Sequence, residues 1–249
     1  MSVLLHWTET LRVRALDVAP DGLLALPALS GYLQEAASRH AQALGVASLE
    51  VGGRPVYWVL HQFRLQLYRR PAWAETVHVE TWPCGFQGLR ALRAYAIRDA
   101  ANNPVAEGLS AWFLVDPERR RPVRLPSEVT RLRPAESPPV RLSGAFPNAP
   151  ETPPCWTDTV RVRFSDLDRN GHANNTRYLA WLVDALPEAL RSGSLQSLAI
   201  TFRHEAHLDD PVMIESWPLK ANQLLHRFVR ATDRLLLAEA LTAWSGSDQ

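Results

Sequence analysis

Very little in this chain of 249 residues points to disulfides, membranes or polyanions. Its two cysteines, Cys84 and Cys155, lie far apart and outside any CxxC spacing, so neither a disulfide framework nor a cysteine zinc site is expected. No apolar run approaches the ~18 residues that span a bilayer. The opening MSVLLHWTETLRVR lacks the basic n-region and small-residue cleavage site of a secretory signal, which reads as a cytoplasmic protein that enters no membrane. A net charge of +1, from 27 basic and 26 acidic groups, supplies no global field for nucleic acid. An acidic partner would need a local patch. There is no G-x-S-x-G elbow, no Walker A loop and no Rossmann fingerprint. HEAH at residues 204–207 is not HExxH; on a predicted strand its two histidines would face opposite sides, so no metal set is expected. What is present is 46% apolar residues, enough for a substantial core.

The chain also repeats itself, which decides the architecture. RVRALDVAPDGLLALPALSGYL from Arg12 lies without gaps over RVRFSDLDRNGHANNTRYLAWL from Arg161, sharing RVR, Asp17/Asp166, Gly22/Gly171 and Leu33/Leu182. VETWP from Val79 then meets IESWP from Ile214, and AEGLSAW from Ala106 meets AEALTAW from Ala238. The offset shrinks from 149 to 135 to 132, as expected of a duplication with shorter loops in the second copy. Nine of the 19 prolines fall between Pro122 and Pro154, where missing donors and restricted neighbours predict an irregular linker. The expected division is an N-terminal unit at 1–121, a linker at 122–157 and a C-terminal unit at 158–249.

Each copy reads as an opening strand, a helix and four further strands. The helices are expected at Pro27 to Leu44 and from Asn175 to about Leu190, the second kinked or ended early by Pro187. Strands are expected at 56–68, 76–82, 89–99 and 104–115, then at 198–207, 212–217, 224–232 and 235–244. This is an α+β architecture built twice.

The second copy gathers polar side chains that the first lacks. Opposite Asp168, Asn170 and His172 stand Ala19, Asp21 and Leu23, and opposite Asn174 and Asn175 stand Ala25 and Leu26. An asparagine here is first of all a helix cap, and Asp166 is structural because Asp17 repeats it. The unshared D-x-N-x-H set, placed before a helix N-terminus, is different. Helix amides near Gly171, Asn174 and Asn175 can hold an oxyanion, and a carboxylate with a histidine can activate water. That combination suits hydrolysis of an ester or thioester without a cofactor.

FSDLDRNGHANNTRYLAWLVDALP resembles the signature of the acyl-acyl-carrier-protein thioesterases of plants and bacteria. WPCGFQGLRALRAY, SAWFLVDPERRRPVRLP and ITFRHEAHLDDPV are similar to further blocks of that family, so the resemblance covers almost the whole chain. It implies a tandem hotdog, two sheets each wrapped around a long helix. It also implies a catalytic network of Asp168, Asn170, His172 and Glu205, the last on the strand after the helix; across the Phe63-Arg64/Phe202-Arg203 match, the counterpart of Glu205 is Gln66. Plant members carry a cysteine after that glutamate, whereas Ala206 here excludes a cysteine nucleophile at that position. The implied substrate is a fatty acyl group on an acyl carrier protein, with its acyl tunnel walled by Trp58, Leu60, Phe63 and Leu65 of the first copy. An acidic carrier would dock on Arg119, Arg120, Arg121, Arg124, Arg131 and Arg133. Acyl-CoA hydrolysis and noncatalytic acyl binding are the alternatives, as monomer or homodimer, with no cofactor, metal, nucleic acid or membrane.

Overall fold

The computed structural model describes residues 5–132, 137–142, 144–191, 193–220 and 222–245; Arg133 lies outside the described residues. The chain divides into two units, Met1–Leu142 and Ser143–Gln249. The division falls inside the proline-rich segment, and the stretch just after Pro122 belongs to the first unit. There a short helix α2 (Ser127–Thr130) leads to Val129 and Leu132, buried together with Val46, while Val140 and Leu142 pack on Trp82 and Cys84. Proline keeps this stretch out of the sheet, but its apolar residues still cover the unit.

In the first unit, β1 (Trp7–Arg12) is followed by α1 (Leu26–Ala43), then β2 (Leu49–Val51), β3 (Arg54–Leu67), β4 (Thr76–Gln87), β5 (Arg90–Asp99), β6 (Pro104–Asp116) and β7 (Arg121–Pro122). The sheet order is β1-β4-β5-β6-β3, with antiparallel neighbours; β2 adds to β3 and β7 to β6. α1 has proline in its first turn, where no donor is lost, and turns Leu29, Leu33, Ala36 and His40 inward at helical spacing. That face packs on β4.

The second unit repeats the plan. β8 (Trp156–Arg161) leads to α3 (Asn175–Asp184) and a short α4 (Glu188–Arg191), then β9 (Ser194–Phe202), β10 (Pro211–Pro218), β11 (Gln223–Arg230) and β12 (Leu235–Ser245). Its order is β9-β12-β11-β10-β8, again antiparallel. The expected second helix is shorter than its pattern suggests, because Pro187 breaks it into α3 and α4. β9 ends at Phe202, so residues 204–207 lie in a bend and not on the strand expected there. Among the described residues no helix is long and apolar enough to cross a membrane.

Candidate active site

The site is built on a five-residue loop before α3. The Asp168 N–H donates to His172 O (2.7 Å), the Gly171 N–H donates to Asp168 O (3.0 Å), and the Asn174 N–H donates to Asp166 O (2.8 Å). The first unit closes the same loop with Ala19 to Leu23 (2.8 Å), Gly22 to Ala19 (2.9 Å) and Ala25 to Asp17 (2.8 Å). Glycine recurs because the turn needs left-handed backbone, φ 77° at Gly22 and 80° at Gly171, and not because space is short. The shared aspartates brace the turns. Asp17 accepts from Arg14 and from the Tyr32 hydroxyl, and Arg14 holds its carboxyl below the usual range. Asp166 accepts the Arg163 N–H (2.8 Å) and lies 2.7 Å from Arg177 Nε, off the hydrogen-bond line, so charge holds that pair.

The loop is then hooked to the bend after β9. The Ala173 N–H donates to Ala206 O (2.8 Å), and His172 forms an isolated bridge with His207. This places His172 Nε2 3.3 Å from Glu205 Oε2, with side chains 21% and 34% exposed. The His207 ring stands edge-on to His172, with centroids 5.1 Å apart. One donor atom each from His172, Glu205 and His207 lie within 4.8 Å of one another, so these three side chains are the described group that could hold a metal ion. Tyr178 is buried near Glu205 and Ala206. Burial, and then the Asp210 and Glu205 carboxylates, push its phenol well above the ordinary range and keep it neutral.

The other expected residues take more particular places. Asp168 Oδ1 accepts the N–H groups of Asn170 (2.8 Å) and His172 (3.2 Å), so this carboxylate shapes the loop. Asn170 is exposed, and its side-chain amide has no hydrogen-bond partner among the described residues. Asn174 caps α3, its Oδ1 accepting from Thr176 N and Oγ1 (both 2.9 Å). The backbone N–H groups of Gly171, His172, Ala173 and Asn174 are all spent within the loop and bend. Of the amides from Gly171 to Asn175, the Asn175 N–H alone has no partner among the described residues, and it sits at the positive end of α3.

The internal counterpart of Glu205 is not Gln66. In the first unit the hook runs from Leu24 N–H to Pro71 O (2.7 Å), and the bridge is Leu23 with Ala72. By that backbone register Arg70 stands for Glu205, Ala72 for His207 and Leu23 for His172. Arg70 is paired with Asp21, the counterpart of Asn170. The Phe-Arg letter match is out of register by four residues: Leu67 pairs with Ala106 and Phe202 with Ala238, the matched residues of the AEGLSAW/AEALTAW repeat, so Phe202 stands at the place of Leu67 and not of Phe63. His207 was therefore missed from sequence, since its signal appears only when it is set against Ala72. His204 and His207 do not pair with each other: His204 Nδ1 meets Leu236 O (2.9 Å), while the His207 ring stands against His172.

Residues 5–132 match the family model of the acyl-ACP thioesterase N-terminal domain, and residues 155–245 match that of the acyl-ACP thioesterase C-terminal domain. A palmitoyl-acyl carrier protein thioesterase of Cuphea hookeriana is 28% identical over 218 residues, 81% of this chain and 52% of that protein. A dodecanoyl-acyl-carrier-protein hydrolase of Cinnamomum camphora is 28% identical over 220 residues, 82% of this chain and 57% of that protein. The chain thus spans about half the length of the curated relatives it matches. The crystal structure of an acyl-ACP thioesterase from Bacteroides thetaiotaomicron superposes with a TM-score of 0.87 at 19% identity, over 98% of this chain and 100% of that one. That likeness establishes a double hotdog fold.

Proposed function

The chain belongs to the acyl-ACP thioesterase family, and on that premise we propose that it hydrolyses the thioester of a fatty acyl group carried on an acyl carrier protein, ending fatty-acid synthesis. The observation that carries this reading is the 3.3 Å contact of His172 with Glu205 beside α3, in a loop whose twin in the first unit has Leu23 and Arg70 instead. Glu205 takes a proton from water while the water oxygen attacks the thioester carbonyl carbon. His172 fixes the carboxylate toward that water, and Asn170 presents its free amide to it. The Asn175 N–H, at the α3 terminus, receives the oxyanion. Collapse breaks the C–S bond, and the proton held by Glu205 goes to the leaving thiolate. The products are a free fatty acid and the carrier thiol. Asp168 and Asn174 serve as positioning residues that hold the loop and the helix end.

The first unit is assigned the acyl chain, with Leu60, Phe63 and Leu65 buried on β3 and Trp58 anchored by its Nε1 to Val46 O. Carrier docking is assigned to Arg119, Arg120, Arg121, Arg124 and Arg131, all exposed. For location we propose the cytoplasm, since both cysteines are free and a reducing compartment keeps them so. The test is thiol release from acyl-carrier proteins and the matching acyl-CoAs. Preference for the carrier, with a KM that rises with salt while that for acyl-CoA does not, supports the reading. Equal turnover of both at every salt concentration would move the protein to acyl-CoA hydrolysis.

A further inference from the structure

We propose that His172, Glu205 and His207 also form a binding site for a divalent transition-metal ion of the zinc class, and that the bound ion blocks turnover. The second part rests on the hydrolytic reading above; the first does not.

The donor set is two imidazoles and one carboxylate, which favours zinc, cobalt and nickel over magnesium or calcium. The separation of His172 Nε2 from Glu205 Oε2, 3.3 Å, matches the edge of about 3.4 Å that follows from tetrahedral bonds of ~2.1 Å. With all three donor atoms within 4.8 Å of one another, the remaining edges need to shorten by at most about 1.4 Å to reach that length. The backbone under them is already fixed by the His172/His207 bridge and the Ala173–Ala206 hydrogen bond, so little ordering is needed on binding.

A second carboxylate, Asp210, stands next to His207. The His207 Nδ1 lies 3.9 Å from Asp210 Oδ2, longer than a hydrogen bond, so the carboxylate stands ready to take up Nδ1–H when Nε2 binds an ion. Asp210 is in turn held by the His207 N–H (2.9 Å) and Arg230 (3.4 Å). A carboxylate behind a ligating imidazole is the usual outer support of a metal ligand, and Asp210 is placed to become one. Among the described residues no arginine or lysine pairs with Glu205, so its charge is open to a cation. Partial exposure of His172 and Glu205 gives the ion an entry path and leaves a fourth position for water. The first unit, with Leu23, Arg70 and Ala72 at these positions, has none of the three ligands and is an internal control.

An ion so held draws negative charge from the Glu205 carboxylate and ties up His172, so the carboxylate is too weak a base for the proton of the attacking water. The experiment uses full-length protein dialysed against EDTA, with the exposed thiol removed by Cys155→Ser. Zinc is titrated by calorimetry, and cobalt by its visible absorption bands. The expected result is one saturable site per chain, weakened about 10–100-fold in Asp210→Asn, which leaves every ligand in place, and abolished in His207→Ala. Zinc should also raise the thermal midpoint of the parent but not of His207→Ala, provided the latter melts cooperatively. Thiol release should fall with a midpoint equal to the calorimetric Kd. Absence of saturable binding, or binding indifferent to both substitutions, overturns the site. Saturable binding with thiol release unchanged or increased overturns the blockade. A protein inactive on every thioester would refute the hydrolytic reading and still leave the calorimetry to decide the metal.

Discussion

His172 and Leu23 occupy the same place in two copies of one loop, and on the proposed reading that difference separates a site from a scaffold. Replacing Glu205 by Gln keeps the size of the side chain and removes its basicity, so turnover should drop ~10²–10⁴-fold with the thermal midpoint unchanged. Asp168 carries a different load. Asp168→Asn retains the oxygen that accepts two N–H groups and should leave stability within ~0.5 kcal/mol, whereas Asp168→Ala frees both donors and should destabilise by about 1–2 kcal/mol in urea unfolding. The cysteines divide in the same physical way. Burial pushes the Cys84 thiol up to about 12, while Cys155 is exposed. A thiol reagent at pH 8 should therefore label Cys155 alone in the native protein and both cysteines in denaturant; prompt native labelling of Cys84 would contradict the packing around Trp82.

At the scale of elements, α3 depends on a side chain where α1 depends on a ring. Asn174 supplies the cap that α1 lacks, so Asn174→Ala should cost about 1 kcal/mol of unfolding free energy. The duplication was legible because gapless identity from Arg12 and Arg161 sets Asp168, Asn170 and His172 against Ala19, Asp21 and Leu23, and the fold keeps that register. Beyond the helix legibility failed. Two letters shared by chance, Phe63-Arg64 and Phe202-Arg203, led to Gln66, whereas Phe202 stands at the place of Leu67 and backbone pairing leads to Arg70. The same failure hid His207, and it put Glu205 on a strand when it lies in a bend. The amide count was illegible too, since only the folded loop shows which N–H groups are already used.

For the molecule as a whole, each unit carries a buried polar chain across its sheet. In the first it runs from Trp112 Nε1 to Ser110 Oγ (2.6 Å), which in turn meets the Tyr95 hydroxyl (3.0 Å). In the second it runs from Trp244 Nε1 to Thr242 Oγ1 (2.8 Å), then to His226 (2.9 Å) and on to Ser216 Oγ (2.8 Å). His226 is 0% exposed, and burial pushes its pKa from 6.5 down to about 3. The folded protein thus holds it neutral while the unfolded chain protonates below 6.5. Its contribution is intact above pH 6.5 and is lost as pH falls toward about 3, with a slope approaching 1.4 kcal/mol per pH unit. Urea unfolding of the parent and of His226→Gln between pH 7.5 and 5 should show that slope in the parent and a flatter one in the variant.

The central claim is that a thioesterase site assembled in the second unit turns on Glu205 beside His172. The most direct measurement is thiol release from a panel of saturated acyl-carrier proteins by the parent and by Glu205→Gln, with both thermal midpoints recorded. Turnover by the parent and a loss of about 100-fold or more in an equally stable variant is the predicted result. Equal turnover by the two proteins, or none by a folded parent on any chain length, would contradict it.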